Sequence, residues 1–512
     1  MYLKGFITAD GDSDGMQRSV LSIDAGTTSV RAMLFSREGD VLAQSQRPID
    51  QIYPDSGWVE HDAMQIWERV RDCVRDVLSS PDAGGCEAVG ITNQRETVVV
   101  WDRHTGEPVC NAIVWQDRRT ADICDRIRAD GHCQGILERT GLQVDAYFSA
   151  TKIEWILDNV PGARERAENG DLMFGTVETW LIWNLTGRKV HATDYTNASR
   201  TMMFNIRDMA WDPDIISCFN IPGSMLPEVC PNCHVFGNMD RSLFGTDIPI
   251  AGSAGDQQAA LFGQACFDKG DVKITFGTGG FVLMNIGPEL RISSHGLLTT
   301  VAWDVTGRPE YAIEGSVYIA GAAVQWLRDE LNLVEESSET EAMAMSVGDT
   351  AGCYVVPAFV GLGAPYWDQN ARGIIMGLTR GTNRCHIARA ALESIAFQAN
   401  DVIKAMEEDA GTRISTVKVD GGASANNFLC QFLADITGVE VQRPKCIEST
   451  ALGAAYMAGL AVGFWSSEDE LSGNWSLDRV FLPSMSEAER EEHIRGWDHA
   501  VRCAKTWSAT DE

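Results

Sequence analysis

Val20-Leu21-Ser22-Ile23-Asp24-Ala25-Gly26-Thr27-Thr28-Ser29-Val30-Arg31-Ala32-Met33-Leu34-Phe35 places two apolar stretches on either side of a small polar run. The apolar and β-branched residues over 20–24 and 30–35 predict two strands, joined by a turn built on Gly26, Thr27 and Thr28. The same design restarts at Val272-Lys273-Ile274-Thr275-Phe276, passes through Gly277-Thr278-Gly279-Gly280 and continues over 281–286. A repeated unit of strand, Gly/Thr turn and strand predicts two similar halves of α/β type, with a boundary near residue 262. Around these anchors, Met64, Trp67, Val70, Val74 and Val77 recur at helical spacing and predict a helix over 63–78, followed by strands over 88–92 and 98–101. In the second half helices are expected over 320–331, 386–408, 425–436 and 450–460, and a strand over 415–419. The Pro- and Gly-bearing stretch 357–381 reads as an ordered loop.

Composition agrees with a folded chain of two or three domains: 512 residues, 44% hydrophobic, 22% charged. The net charge of −30 argues against nucleic-acid or anionic-membrane partners. Only nine of the 42 basic residues are lysine, and acid runs such as Asp10, Asp12, Asp14 and Glu335, Glu336, Glu339, Glu341 recur. That balance predicts adaptation to molar salt, where the screening length shrinks to about 3 Å and self-repulsion is quenched. The opening residues are acidic and lack a leader-like apolar core, so residues 1–18 read as a flexible tail and the fourteen cysteines as reduced thiols. The longest uncharged apolar run, 451–465, is shorter than the roughly 20 residues of a membrane span and reads as a buried helix.

Several motifs carry chemistry. Asp24 closes a strand just before a glycine and the hydroxyls of Thr27, Thr28 and Ser29, a turn that can cradle phosphate while the carboxylate reaches Mg²⁺ directly or through water. Gly277-Thr278-Gly279-Gly280 is a second such turn. Each alone reads equally well as a hairpin turn, but two facing each other would grip a polyphosphate from both sides. No lysine-bearing P-loop, no kinase H-R-D or D-F-G and no G-x-G-x-x-G after a strand is present, so an ATP site would be of another type. Asp420-Gly421-Gly422-Ala423 before Asn426 suits a ribose or base, or a plain strand-to-helix connection. Asp256, ahead of an expected helix over 259–265, sits where the helix dipole holds a carboxylate ionised, ready to accept a proton or simply to cap. Arg95-Glu96 offers a small polyol donors and acceptors side by side. Trp115, Tyr147 and Phe281 could wall its carbons, with core packing as the alternative. Cys230-Pro231-Asn232-Cys233-His234 fits a haem-attachment string, but without an export signal it reads as surface-loop thiols.

These motifs resemble the FGGY carbohydrate kinase family from about residue 20 to 465. Tyr147-Phe148-Ser149-Ala150-Thr151-Lys152-Ile153-Glu154-Trp155 is similar to one family signature, and Gly373-Ile374-Ile375-Met376-Gly377-Leu378 with residues 386–393 to the other. Ile91-Thr92-Asn93-Gln94-Arg95-Glu96-Thr97, Trp115-Gln116-Asp117-Arg118-Arg119-Thr120 and Ala254-Gly255-Asp256-Gln257-Gln258-Ala259-Ala260 resemble the branch that phosphorylates glycerol. The resemblance implies two actin-like (ribonuclease H-like) ATPase domains around an interdomain cleft, residues 19–262 binding the polyol and 263–512 the nucleotide. It implies ATP-dependent, Mg²⁺-assisted phosphorylation of glycerol to sn-glycerol 3-phosphate, by a cytoplasmic homodimer or higher homo-oligomer. By matching motif, Arg95, Glu96, Tyr147, Asp256 and Gln257 would hold the hydroxyls and Trp115 and Phe281 the carbons, with Asp256 as catalytic base. Thr27, Thr28, Ser29, Arg31 and Thr278 would meet the phosphates, Gly321, Gln325, Gly422 and Asn426 the nucleoside, and Asp24 the metal. Where the family usually reads Asp-Gln-Gly-Thr-Thr, this chain has Asp24-Ala25-Gly26-Thr27-Thr28, one amide fewer near metal and phosphate. The rivals are a xylulose or gluconate kinase of the same family and a nucleotide-driven binding module, although no separate peptide-binding domain follows the second half.

Overall fold

The computed structural model describes residues 18–368 and 370–506; the tail expected over 1–18 lies outside them except for Arg18, as do Asp10, Asp12 and Asp14. β1 (Arg18–Ala25) is buried from Ser19 onward, which explains its mostly apolar sequence: it lies inside a six-stranded sheet. It pairs antiparallel with β2 (Ser29–Phe35), and β3 (Val41–Pro48) completes the meander. On its other side runs β4 (Gly85–Asn93), parallel to it; β5 (Cys233–Asn238) and β6 (Pro249–Gly255) finish the order β5-β6-β4-β1-β2-β3. Asp24 pairs with Thr92 and Thr92 with Ala254, so the parallel strands β1, β4 and β6 end level. The residues just beyond them, Gly26 to Thr28, Arg95 with Glu96, and Asp256, therefore leave one edge of the sheet together, the carboxyl edge at which open α/β sheets bind ligands.

Helix α1 (Ala63–Leu78) starts at an Asp62 cap and buries Ile66, Trp67, Val70, Val74 and Val77 against β2 and β3. Each such large apolar side chain contributes about 1.5–3 kcal/mol relative to exposure. Between β4 and β5 the chain makes a long excursion that includes α2 (Ser149–Asn159) and α3 (Tyr195–Ser199). α4 (Asp256–Gly263) follows β6 without a break, starting three residues earlier than the apolar periodicity indicated because Asp256, Gln257 and Gln258 are polar.

The second sheet holds β7 (Val272–Phe276), β8 (Gly280–Gly287), β9 (Leu298–Trp303), β10 (Glu310–Val317), β11 (Thr416–Asp420), β12 (Glu440–Pro444) and β13 (Leu477–Phe481), in the order β9-β10-β8-β7-β11-β12-β13. A meander β7-β8-β10, two strands parallel to β7 and an antiparallel edge strand retrace the path of the first sheet, with β9 added. Helices α5 (Gly321–Asp329), α6 (Arg384–Ala410), α7 (Asn427–Thr437) and α8 (Ser449–Val462) belong to this part of the chain. α6 begins at a reciprocal Asn383–His386 capping box and ends at Gly411 in the left-handed region.

α8 lies across β1, β4 and β6 of the first sheet and packs along α4. The two helices touch backbone to backbone: a Cβ on Gly453 would stand 1.8 Å from the Ala259 carbonyl oxygen, so no larger residue fits there. The apolar run 451–465 is this helix and its buried C-terminal Phe464 and Trp465. No helix among the described residues is long and apolar enough to cross a membrane.

Two local expectations fail. Within 357–381, Ile374–Met376 forms a strand against Tyr354–Val356, too short to show a period. Cys230 and Cys233 are not surface-loop thiols: Cys230 ends the Glu228–Cys230 strand and is buried, while Cys233 opens β5. Asn232 between them is fixed by bonds from its Nδ2 to Asp194 and Ser253, and burial pushes the Cys230 thiol up to about 11. All fourteen cysteines are free, and the described residues contain no group of three or more metal-ligating side chains.

Candidate active site

A cavity of about 420 Å³ opens where the two sheets meet. Gly26, Thr27 and Thr28 face it from the first sheet, Gly277, Thr278 and Gly279 from the second, so the two turns oppose each other across one space. Arg95, Glu96, Trp115, Tyr147, Asp256, Gln257 and Phe281 share this wall with Asp24, Arg31 and Gln325. Ser29 stands at the start of β2, where its hydroxyl accepts a hydrogen bond from Gln46 Nε2.

A second cavity of about 460 Å³ takes Gly321, Gly422 and Asn426 into its lining, together with Ser337, Ser338, Thr340 and Glu341. Gly277, Thr278 and Gln325 belong to both cavities, so the second Gly/Thr turn is the partition between them. Its shape depends on close backbone contact: Gly321 N–H donates to the Gly277 carbonyl at 2.9 Å, and a Cβ on Gly321 would lie 2.5 Å from that oxygen. Asn426 caps α7 through its side-chain oxygen while lining the cavity.

The polar cluster of the first cavity is held by residues remote in sequence. Arg95 donates from both terminal nitrogens to Glu314 on β10, at 2.5 and 2.9 Å, and its Nε lies 3.2 Å from Asp256 Oδ1. Arg200, at the end of α3, donates from Nε to Glu96 at 2.6 Å and from Nη2 to Glu314 at 3.0 Å. All four of Arg95, Glu96, Arg200 and Glu314 are buried, and this charge-balanced square joins the two sheets. Burial works against the Glu314 charge, yet Arg200 and Arg95 overcome it and hold the carboxyl down to about 2. Glu96 itself has φ of 61°, a left-handed conformation uncommon for a non-glycine residue, while its side chain accepts from Arg200.

Asp256 keeps 29% of its side-chain exposure at the cavity wall. Surrounding protein pushes its carboxyl above the usual range against the pull of Arg95 and Lys273, the reverse of what the helix dipole alone would do. A raised carboxylate is the better proton acceptor. Asp24 is likewise raised by burial against Arg31, which bonds its Oδ2 at 2.6 Å and also pairs with Glu448. The aromatic wall is continuous: Trp115 meets Tyr147 edge-on at 5.7 Å and Phe281 at 6.2 Å, and its Nε1 donates to Thr27. Lys152 on α2 fixes the Tyr147 segment by donating to the carbonyls of residues Ala146, Tyr147 and Phe148.

Sequence reasoning missed Arg200, Glu314 and Lys273. The available signal was a lone charge inside an apolar strand, as in Val272-Lys273-Ile274 and Ile313-Glu314-Gly315. Register explains their convergence: Lys273 and Glu314 both flank Leu283, so all three stand in one row on the sheet face that also carries Thr275 and Phe281.

With this geometry in hand, the comparisons with known proteins are direct. The model of the FGGY family of carbohydrate kinases matches residues 19–263 with its N-terminal domain and 272–462 with its C-terminal domain. The glycerol kinase of Caldanaerobacter subterraneus subsp. tengcongensis is 58% identical over 495 residues, covering 96% of this chain and 100% of that protein. That of Symbiobacterium thermophilum is 60% identical over 492 residues, covering 96% and 99%. The crystal structure of Plasmodium falciparum glycerol kinase with ADP superposes with a TM-score of 0.89 at 37% identity, over 96% of this chain and 99% of that one. The chain belongs to the FGGY family of carbohydrate kinases, among its glycerol kinases.

Proposed function

We propose that the chain transfers the γ-phosphoryl group of ATP to a primary hydroxyl of glycerol, giving sn-glycerol 3-phosphate and ADP. The observation that carries this reading is the Gly277-Thr278 turn shared by two cavities, one backbone-lined and suited to a nucleotide, the other lined by charges and aromatics and suited to a polyol. A phosphoryl group passing between them crosses that turn. Glu96 and Asp256 accept from substrate hydroxyls, Arg95 donates to them, and Trp115, Tyr147 and Phe281 cover the carbon face. Asp256 takes the proton of the attacking hydroxyl as its oxygen bonds to phosphorus and the bond to the ADP oxygen breaks; the loose transition state asks for positioning more than for a strong base. Thr27, Thr28 and Thr278 supply hydroxyl and amide donors to the charge spread over the transferring group.

The residues present fit Mg²⁺: Asp24 and Asp256 face the same cavity, and Asp24 raises Asp256 by like-charge repulsion that a dication would relieve. Mg²⁺, when bound there, neutralises phosphate charge. The missing amide at Ala25 leaves that duty to the carboxylates and threonines. Likeness to glycerol kinases at 58% and 60% identity over nearly the whole chain favours glycerol over xylulose or gluconate. The fourteen free thiols suit a reducing compartment, so the reading places the enzyme in the cytoplasm, as a homo-oligomer that sedimentation would size.

The test is a coupled ATP-turnover assay in molar KCl with glycerol, dihydroxyacetone, xylulose, gluconate or no acceptor. The highest kcat/KM should be with glycerol, with negligible acceptor-free hydrolysis. Turnover only with a longer sugar, or without any acceptor, would overturn the substrate.

A further inference from the structure

Gln257 lines the polyol cavity from the first turn of α4, and its carboxamide has two ends of opposite hydrogen-bonding sense. Lys273, fully buried in β7, donates from Nζ to Gln257 Oε1 at 2.5 Å and to Thr275 Oγ1 at 2.9 Å. An ammonium has three donors and no acceptor, so of the two ends of the carboxamide only the oxygen can face it. The NH₂ end is then the polar group Gln257 has left for the cavity. From this geometry we propose that Lys273 is a positioning residue for the polyol reaction, locking the Gln257 carboxamide so that its NH₂ meets a substrate hydroxyl oxygen.

The surroundings say why the orientation matters. The cavity wall beside Gln257 already carries two acceptors, the carboxylates of Glu96 and Asp256. A hydroxyl that donates to one of them still has lone pairs to satisfy, and a flipped Gln257 would bring a third acceptor instead of a donor. Asn and Gln side chains are otherwise free to take either orientation at little cost, so a one-sense partner behind the amide removes the ambiguity before substrate arrives. The charged groups acting on Lys273 come from four elements: Asp420 on β11, Asp256 on α4, Arg95 beyond β4 and Glu314 on β10. Burial pushes the ammonium down to about 8, against the support of Asp420 and Asp256, and the lysine thus remains charged at neutral pH. A lysine buried only to fill space would need none of this alignment with a cavity residue.

The inference rests on the glycerol reading above, and a double-mutant cycle separates the two. Initial rates are measured for the wild-type protein, Lys273→Met, Gln257→Ala and the double variant, varying glycerol and ATP in turn. Loss of one oriented hydrogen bond should raise the KM for glycerol about tenfold in Lys273→Met and leave the KM for ATP within about twofold. The double variant should be no worse than Gln257→Ala, because the lysine acts only through that amide. Lys273→Arg, another pure donor, should recover most of the affinity. Independent, multiplying losses, or equal rises in both KM values, would overturn the proposal. Gln257→Glu keeps an oxygen for Lys273 but turns an oxygen toward the cavity, so it should weaken glycerol about tenfold or more at an unchanged melting temperature, even if Lys273→Met does not fold. A wild-type KM for glycerol in that variant would likewise refute the role. Absence of glycerol phosphorylation by the wild-type protein would instead remove the reading on which the inference stands.

Discussion

The two cavities that meet at Gly277 and Thr278 are lined differently, and on the proposed reading they would recognise a polyol and a nucleotide by different means. The proposed polyol side is built from charges, Arg95 and Glu96 buried and Asp256 at the cavity wall, tied to Arg200 and Glu314 from elements far apart in sequence. The proposed nucleotide side combines glycines and small hydroxyls, Gly277, Gly321, Gly422, Ser337, Ser338 and Thr340, with apolar Phe276, Val324 and Leu392 and a single charged residue, Glu341. A charged site gains strength from its low-dielectric surroundings and suffers most when one charge is removed. A site shaped by close glycine contacts suffers most when an atom is added. Each side should therefore respond to a different kind of substitution.

The largest expected effect is on chemistry. Asp256→Asn removes the proton acceptor while leaving shape and fold, and should lower kcat about 10²–10⁴-fold with an unchanged circular dichroism spectrum. Near-normal turnover would remove Asp256 from that role. Next comes Glu314→Gln, which leaves the buried Arg95 and Arg200 with only Glu96 and the partly exposed Asp256 as carboxylate partners, and should cost about 3–5 kcal/mol of stability by chemical denaturation. The pH dependence follows in sign. Glu314 is depressed from 4.5 to about 2, so its contribution is fully present above 4.5 and is lost as pH falls toward 2. The Gln variant should therefore lose less stability than the wild-type protein over that window, and parallel curves would contradict the pairing.

How much of this was legible in the sequence divides along the same line. Both Gly/Thr turns, the Asp256 helix start and the Asp420-Gly421-Gly422 turn were readable because each is local: a few consecutive residues fix the backbone shape. Helix α1 was readable over its full length, since its buried side recurs at helical spacing. The strand Ile374–Met376 was not, being too short to show a period. The charge square was not readable either. Arg95 and Glu314 are 219 residues apart, and only the pairing of β7, β8 and β10 brings the Glu314 row to the cleft. Nor does sequence show that Glu96 adopts a left-handed backbone or that its side chain meets Arg200, 104 residues on. The direction of the Asp256 shift also required the structure, because burial, invisible in a linear motif, outweighs the pull of Arg95 and Lys273.

A smaller and more diffuse effect concerns the surface. With a net charge of −30, the folded chain should be weakened by self-repulsion in dilute buffer. Circular dichroism should show structure lost at low salt and recovered in molar KCl; spectra that do not respond to salt would contradict adaptation to such conditions. Ion pairs already buried in the polyol site should be screened much less than the surface.

Two independently built cavities that share one turn should respond separately to mutation, and a crossed kinetic comparison reads this out. Arg95→Ala and Gly321→Ala are assayed side by side in molar KCl, with KM determined for both glycerol and ATP. A crossed pattern is expected: Arg95→Ala raises the KM for glycerol about tenfold or more with little change for ATP. Gly321→Ala, whose new Cβ would press on the Gly277 carbonyl, does the reverse. If both variants moved both constants together, the cavities would be a single site, and the division of labour described for Gly277 and Thr278 would be wrong.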